Sequence, residues 1–186
     1  MSSYQDEMFE FFTSKREHFI SAFEIYQKFP DVKNRLITEF WDLVVDKLTI
    51  FINKSNWKIT KEENEYLDLY FDDLIYPAFI GLNNKLEVGL YVDIENERYA
   101  NIDREKIEFH FKNLDLYIGM KTNNNWLGYK FAGYDFNNIE TLKRLTDNQS
   151  KEDFAEELAK MLFDFAIEMK PHIDKMLKMT KKKYVE

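Results

Sequence analysis

The sequence contains no cysteine and has only five glycines in 186 residues. Without cysteine there can be no disulfide bond, thiolate zinc site, iron–sulfur ligation or cysteine nucleophile. The glycines lie too far apart to form a phosphate-binding loop of the Walker or the dinucleotide type. The Gly-x-Ser-x-Gly turn of serine hydrolases is missing as well. These absences predict a protein that holds no cofactor.

Histidine is also scarce. His18, His110 and His172 are too far apart in sequence to form a helical zinc pair. Arg104 and His110 have the spacing of HEPN-type ribonucleases, whose site needs both residues on one helical face, but they enclose a strand-like segment. The fragment Pro30-Asp31-Val32-Lys33 resembles part of the restriction-type nuclease motif, but its position favours a helix start. The sequence therefore predicts that the protein is not an enzyme.

Long apolar runs are absent too. No stretch approaches the roughly 18 residues that a membrane-spanning helix requires, and the first seven residues are not those of a signal peptide. We therefore expect a cytoplasmic protein. The net charge is -8 and the pI is about 5.1. On average such a chain is repelled by nucleic acid and anionic lipid, and it suits a basic protein partner.

The sequence is rich in aromatic residues, with 17 Phe and 11 Tyr. Large rings bury much surface in cores and are favoured in interfaces. The length suits one domain. We predict a single α+β domain over residues 1–186, made of a helical hairpin (1–54), an antiparallel sheet (56–135) and C-terminal helices (137–183).

The N-terminal part has helical periodicity. Apolar residues recur at spacings of three and four from Tyr4 to Phe29, and Pro30 is expected to end this helix. Asp31 is then expected to cap a second helix that reaches about Lys54 and packs antiparallel to the first. We expect two core-facing stripes, namely Met8, Phe9, Phe12, Phe19, Ile20, Phe23 and Tyr26 in the first helix, and Val32, Leu36, Phe40, Trp41, Val44, Leu48 and Phe51 in the second.

The middle of the chain alternates apolar and polar residues between asparagine-rich turns. This pattern predicts an antiparallel meander of four or five strands with one buried face. The clearest strand is Lys85 to Ile94, and a return strand is expected from Trp126 to Phe131. The segment from Glu62 to Asp73 could instead form a short helix, with Ile75 to Leu82 as the first strand.

The C-terminal part returns to helical spacing. A short helix is expected from Asn137 to Leu145, and Ser150 with Asp153 forms a capping-box signal for a long helix. Pro171 is expected to kink that helix. The long helix should pack on the sheet through Phe154, Leu158, Met161, Leu162, Phe165, Met169, Ile173, Met176 and Leu177.

An acidic cluster lies along the clearest strand and the turn after it, and it is formed by Glu87, Asp93, Glu95 and Glu97. We predict that this cluster binds a basic protein partner. One alternative is a metal-dependent hydrolase that uses the acids Asp72, Asp73, Glu87 and Asp93. Another is an RNA-binding module that stacks bases on the sheet aromatics Tyr91, Phe109, Phe111, Tyr117, Trp126, Tyr129, Phe131 and Tyr134.

The overall character of the chain resembles the orphan proteins with which phages of low-GC bacteria counter host defence, including anti-CRISPR inhibitors. The features behind this resemblance are Trp41, Asp72-Asp73, Glu87 to Glu97 and the asparagine turn at 123–125. The resemblance implies a non-enzymatic inhibitor of a basic, nucleic-acid-handling protein such as an RNA-guided nuclease. The chain is also similar in style to the accessory regions, a β-meander with helices, that accompany restriction-type nucleases.

Overall fold

Helices occupy both ends of the chain, and antiparallel strands occupy its middle. The computed structural model describes residues 3–53, 55–62, 66–71, 78–81, 85–91, 105, 113–114, 119–124 and 126–181. The helices are α1 (Tyr4–Ser14), α2 (Arg16–Ile52), α3 (Ile139–Arg144) and α4 (Asn148–Lys181). The strands are β1 (Trp57–Glu62), β2 (Tyr66–Phe71), β3 (Ala78–Gly81), β4 (Lys85–Tyr91) and β5 (Trp126–Asp135). This combination confirms the α+β class.

The chain divides into an N-terminal unit, Met1–Glu39, and a C-terminal unit, Phe40–Glu186. The N-terminal unit holds α1 and the first part of α2. A capping box starts α1, because the Ser3 hydroxyl accepts the Asp6 backbone N–H while the Asp6 carboxylate accepts the Ser3 N–H. α1 ends where Lys15 adopts an extended conformation, with φ -142° and ψ 143°. Lys15 therefore separates α1 from α2.

The predicted hairpin at Pro30 is wrong, since Pro30 lies inside α2. A proline removes one backbone donor, but its fixed φ of about -65° is itself helical. Neither glycine nor asparagine, the usual residues of a helix C-terminus, lies between Phe29 and Lys33. The helix therefore continues past Pro30, and Asp31 is an interior residue, not a cap.

The five strands form one antiparallel sheet in the order β1-β2-β3-β4-β5. Leu67 and Leu69 of β2 are buried, as are Leu86, Val88 and Leu90 of β4. The helical alternative for Glu62 to Asp73 is thus wrong, because β2 occupies Tyr66–Phe71 within it and its buried leucines are two residues apart. The return strand expected from Trp126 is confirmed as β5. The strand-like segment between Arg104 and His110 lies, apart from Glu105, outside the described residues.

Gly89 fixes how closely β4 and β5 approach each other. A Cβ atom at this position would lie 2.2 Å from the carbonyl oxygen of Gly128 and 2.7 Å from the Cα atom of Tyr129. Both distances are far inside van der Waals contact, so no side chain fits. The pairing of the two strands is irregular between Lys85 and Glu87 and again between Leu90 and Tyr91.

Aromatic rings form the centre of the core of the C-terminal unit. The Phe40 ring stacks on Phe154 with centroids 4.7 Å apart, and it meets Phe136 edge-on at 5.9 Å. Trp41 also contacts Phe136 edge-on, at 6.2 Å. The predicted stripe of the second helix is therefore confirmed as core from Phe40 to Leu48, where Phe40, Trp41, Val44 and Leu48 are buried, whereas Phe51 is half-buried.

The predicted stripe of the long C-terminal helix is confirmed over most of its length, with Phe154, Leu158, Leu162, Phe165, Met169 and Ile173 buried. The predicted start is wrong: α4 begins at Asn148, and the Asp147 carboxylate accepts the backbone N–H of Ser150. Asp147 therefore caps the helix, and Ser150 lies within the first turn. Pro171 lies inside α4, and its expected kink stays a prediction.

A short helix, α3, precedes α4 and confirms the helix expected after Asn137. The side-chain amide oxygen of Asn138 accepts a hydrogen bond from the Glu140 backbone N–H and so caps α3. In the part of the chain that the structure describes, no helix is long and apolar enough to cross a membrane.

Candidate functional site

The N-terminal unit exposes most of its large apolar side chains. α1 has no buried residue, and burial in α2 begins only at Phe40. The exposed fraction is 76% for Tyr4 and 77% for Tyr26. The exposed set is Tyr4, Met8, Phe9, Phe11, Phe19, Ile20, Phe23, Ile25, Tyr26, Phe29 and Val32. The prediction that the first apolar stripe faces the core is therefore wrong, because nothing in the described residues covers it.

The C-terminal unit, in contrast, leaves few of its described large apolar side chains exposed. Its described residues leave only Ile50, Phe131, Ile139 and Ile167 exposed among the large apolar side chains. Isolated apolar residues of this kind are normal on a protein surface, whereas extended apolar patches mark interaction sites. The contrast makes the N-terminal unit the strongest candidate for a functional surface.

The size of the exposed surface can be judged from its aromatic rings. Seven rings of the N-terminal unit have exposed fractions between 49% and 77%. At roughly 150–250 Å² for each fully exposed ring, they present on the order of 900 Å². A stable protein–protein interface takes about 800 Å² from each partner. Taken over all its sides, the N-terminal unit therefore exposes about as much apolar surface as one partner contributes to a stable interface.

The corner between α1 and α2 is held by local contacts around His18. The His18 ring stacks on the Phe11 ring at 4.6 Å, and its Nδ1 atom lies 3.1 Å from the Phe11 carbonyl oxygen. The Ser14 hydroxyl donates to the same carbonyl at 2.7 Å. These contacts satisfy a backbone acceptor at the end of α1 that the helix itself leaves unpaired. His18 thus has a local structural role.

The charges of the N-terminal unit are segregated along its sequence. α1 carries Asp6, Glu7 and Glu10 and no basic residue. The segment from Lys28 to Arg35 carries three basic residues and one acid. Arg35 also forms an exposed ion pair with Glu39 at 2.9 Å. One end of the unit is therefore acidic, and the other is on balance basic.

Of the predicted acidic cluster, only Glu87 lies among the described residues. It is half-buried in β4, opposite Phe131 of β5. Burial raises the pKa of Glu87 above its ordinary value, and the nearby Lys121 and Lys85 amines offset this only in part. Glu87 therefore stands beside two cations of its own chain.

The two lysines also approach the exposed Phe131 ring. The Lys121 amine lies 4.9 Å from the ring centroid and the Lys85 amine lies 5.7 Å from it, both within cation–π range. Around Glu87 the described surface is thus mixed in charge and partly aromatic.

Asp93, Glu95 and Glu97 lie outside the described residues, as do Asp72, Asp73, Arg104 and His110. No group of three or more His, Asp or Glu residues that could hold a metal ion occurs within the described ranges. His172 lies in α4, and His18 lies in α2. The described residues therefore assemble none of the catalytic combinations considered from the sequence.

The sequence did not reveal that the apolar stripe of the first helix is exposed. Helical spacing shows that an apolar face exists, but it carries no information on what covers that face. A hint was available in α1, where Phe9 and Phe11 lie on different sides of the helix and cannot both face one core.

The chain matches no protein-family model, no curated protein and no solved structure.

Proposed function

We propose that this chain is a non-enzymatic protein-binding protein. The observation that carries the proposal is the exposed apolar surface of residues 3–39. Exposed Phe and Tyr side chains in this number are costly to keep in water, and they are the residue types that dominate the energetics of protein interfaces. A catalytic role would not account for them.

We further propose that the partner is a basic, nucleic-acid-handling protein, such as an RNA-guided nuclease, which the chain inhibits in the cytoplasm. The net charge of -8 supports this partner, because a protein that binds nucleic acid presents lysine and arginine grooves. Opposite charges accelerate encounter and suppress wrong partners. In this proposal Glu87, Asp93, Glu95 and Glu97 contact the basic groove, on a scaffold with a four- or five-stranded meander and a kinked α4.

The proposal is tested with the purified full chain and a panel of RNA-guided nucleases. Each nuclease is loaded with its guide RNA and given a labelled DNA target, and cleavage is measured as the chain is added. Inhibition that saturates at a fixed stoichiometry is the expected result for at least one nuclease class. If the chain leaves every nuclease active and binds none of them in a pull-down, the inhibitor proposal is wrong.

One further observation favours a second candidate function, RNA binding. The Phe131 ring is 40% exposed and has two lysine amines within 6 Å of its centroid, a combination that suits base stacking. Titration with single-stranded RNA at two salt concentrations tests this candidate. Binding that weakens with salt and is lost in Phe131→Ala would support it, whereas the absence of binding at low salt would dismiss it.

A further inference from the structure

We infer that the apolar surface of the N-terminal unit is covered by the same unit of a second copy of this chain, with the two units antiparallel. The inference rests on the proposal that this unit is a protein interface, and it names the occupant. Three observations point to a second copy: the area of the surface, the spacing of its apolar residues and the segregation of its charges.

The area matches what a dimer of this kind needs. Seven exposed rings present on the order of 900 Å², and an interface between two copies uses the same surface twice. The total of roughly 1,800 Å² lies within the range of stable interfaces. Because Phe9 and Phe11 lie on different sides of α1, this total is the upper limit of what a twofold dimer buries.

The spacing of the apolar residues suits pairing of two helices. Phe19, Phe23 and Tyr26 follow one another at intervals of four and three residues, which is one heptad of the spacing found in helices that pack along their length. All three side chains are exposed, with fractions of 60%, 51% and 77%. The segment thus has one heptad of the spacing of a helix pair, and its three rings are exposed among the described residues.

The charges select the direction of pairing. In an antiparallel pair, the amino end of one unit lies beside the carboxyl end of the other. Glu7 and Glu10 of one copy then approach Lys33 and Arg35 of the second copy, on both sides of the twofold axis. A parallel pair would instead set acids against acids, which is unfavourable within the Debye length of about 8–10 Å.

The first experiment is sedimentation of the full chain over a range of concentrations. We expect a species of twice the single-chain mass of 22.6 kDa. The double variant Phe19→Ser/Phe23→Ser should weaken dimerisation at least tenfold, because it removes two rings from the paired surface. The matched control is Ile139→Ser/Ile167→Ser, which removes two exposed apolar side chains from the C-terminal unit and should leave the dimer unchanged.

The second experiment tests the direction of pairing with two charge variants. One is Glu7→Lys/Glu10→Lys, and the other is Lys33→Glu/Arg35→Glu. Asp6 is left unchanged because it belongs to the capping box of α1. In an antiparallel dimer each variant alone pairs like charges and should dimerise several-fold more weakly than the natural sequence. An equimolar mixture pairs opposite charges and should recover dimerisation.

Three outcomes would overturn the inference. If the natural chain sediments at the single-chain mass at every concentration, no dimer forms. A dimer that persists in Phe19→Ser/Phe23→Ser places the interface elsewhere. If each charge variant dimerises as well alone as in the mixture, the pairing is not antiparallel. If the chain is monomeric but still binds a nuclease through Phe19 and Phe23, the second copy fails while the proposed function stands.

Discussion

The guanidinium carbon of Arg144 lies 4.0 Å from the centroid of the Phe154 ring, so the last residue of α3 covers a core aromatic of α4. The same guanidinium donates to the Glu157 carboxylate at 2.9 Å, and the Tyr134 hydroxyl donates to the other oxygen of that carboxylate. Burial opposes ionisation of Glu157, but these two donors hold its pKa below the ordinary value. One cation thus links β5, α3 and α4.

We expect Arg144→Ala to lower the free energy of unfolding by about 1–2 kcal/mol, since it removes a cation–π contact and a hydrogen bond to a partly exposed carboxylate. Urea denaturation followed by circular dichroism measures the change. Lys143→Ala is the matched control, because among the described residues the Lys143 amine forms an ion pair with the exposed Glu140. If the two variants are equally stable, the Arg144 contacts contribute nothing beyond an ordinary surface pair.

Burial of the α4 stripe gives a second prediction. Phe165 is only 4% exposed, and Phe165→Ala should cost about 3–5 kcal/mol through lost burial and a residual cavity. Ile167→Ala, two residues along the same helix, is the control, since Ile167 is 46% exposed. Thermal unfolding compares the two variants. An unchanged melting temperature in Phe165→Ala would show that this face of α4 is not core.

A third prediction concerns Glu87, whose pKa is raised, so that its ionisation lowers the stability of the fold. Its folded-state pKa is raised chiefly by burial, so the ionised form destabilises the fold once the pH exceeds that pKa. Glu87→Gln should therefore be at least as stable as the natural chain at pH 7. Below the usual glutamate pKa of about 4.3, both side chains are neutral and the difference should vanish.

Unfolding midpoints between pH 3.5 and pH 7 check this expectation. Glu157→Gln provides the comparison, because the pKa of Glu157 is lowered and its ionised form stabilises the fold above about pH 4.3. Glu157→Gln should lose stability at pH 7 and approach the natural chain as the pH falls. A Glu87→Gln variant less stable than the natural chain at pH 7 would mean that the lysines outweigh burial.

The fold could be predicted from the sequence where local pattern and burial coincide. The stripe from Phe154 to Phe165 is apolar at helical spacing and is buried, so periodicity alone identifies it. Leu86, Val88 and Leu90 show the same agreement for a strand. In both cases one buried face sets the period, and the period is visible in the letters of the sequence.

Prediction failed where the outcome depends on what lies outside the segment. Pro30 has a strong local tendency to end a helix, yet α2 runs through it because the rest of the segment favours helix. Phe19 and Phe23 have the spacing of core residues, but exposure depends on whether another surface covers them. Of the candidate site, the sequence indicated the acid Glu87, but it did not indicate that Lys85 and Lys121 lie beside it.

The last prediction concerns the acids of the proposed partner-binding cluster. Reversing charge in Glu95→Lys/Glu97→Lys should slow association with a basic partner and flatten the dependence of the rate on salt. Charges of this kind act mainly on the association rate, whereas buried aromatic residues determine most of the dissociation rate. We therefore expect a several-fold lower association rate at low salt and little change in dissociation.

Binding kinetics at two salt concentrations, measured against the nuclease identified by inhibition, test this expectation. The control is Asp164→Lys/Glu168→Lys, which makes the same change in net charge on exposed positions of α4. If only Glu95→Lys/Glu97→Lys slows association, the effect is local to the proposed cluster. If both variants slow it equally, the partner senses the net charge of -8 and no particular face. If neither variant slows it, the acidity of the chain takes no part in recognition of the nuclease.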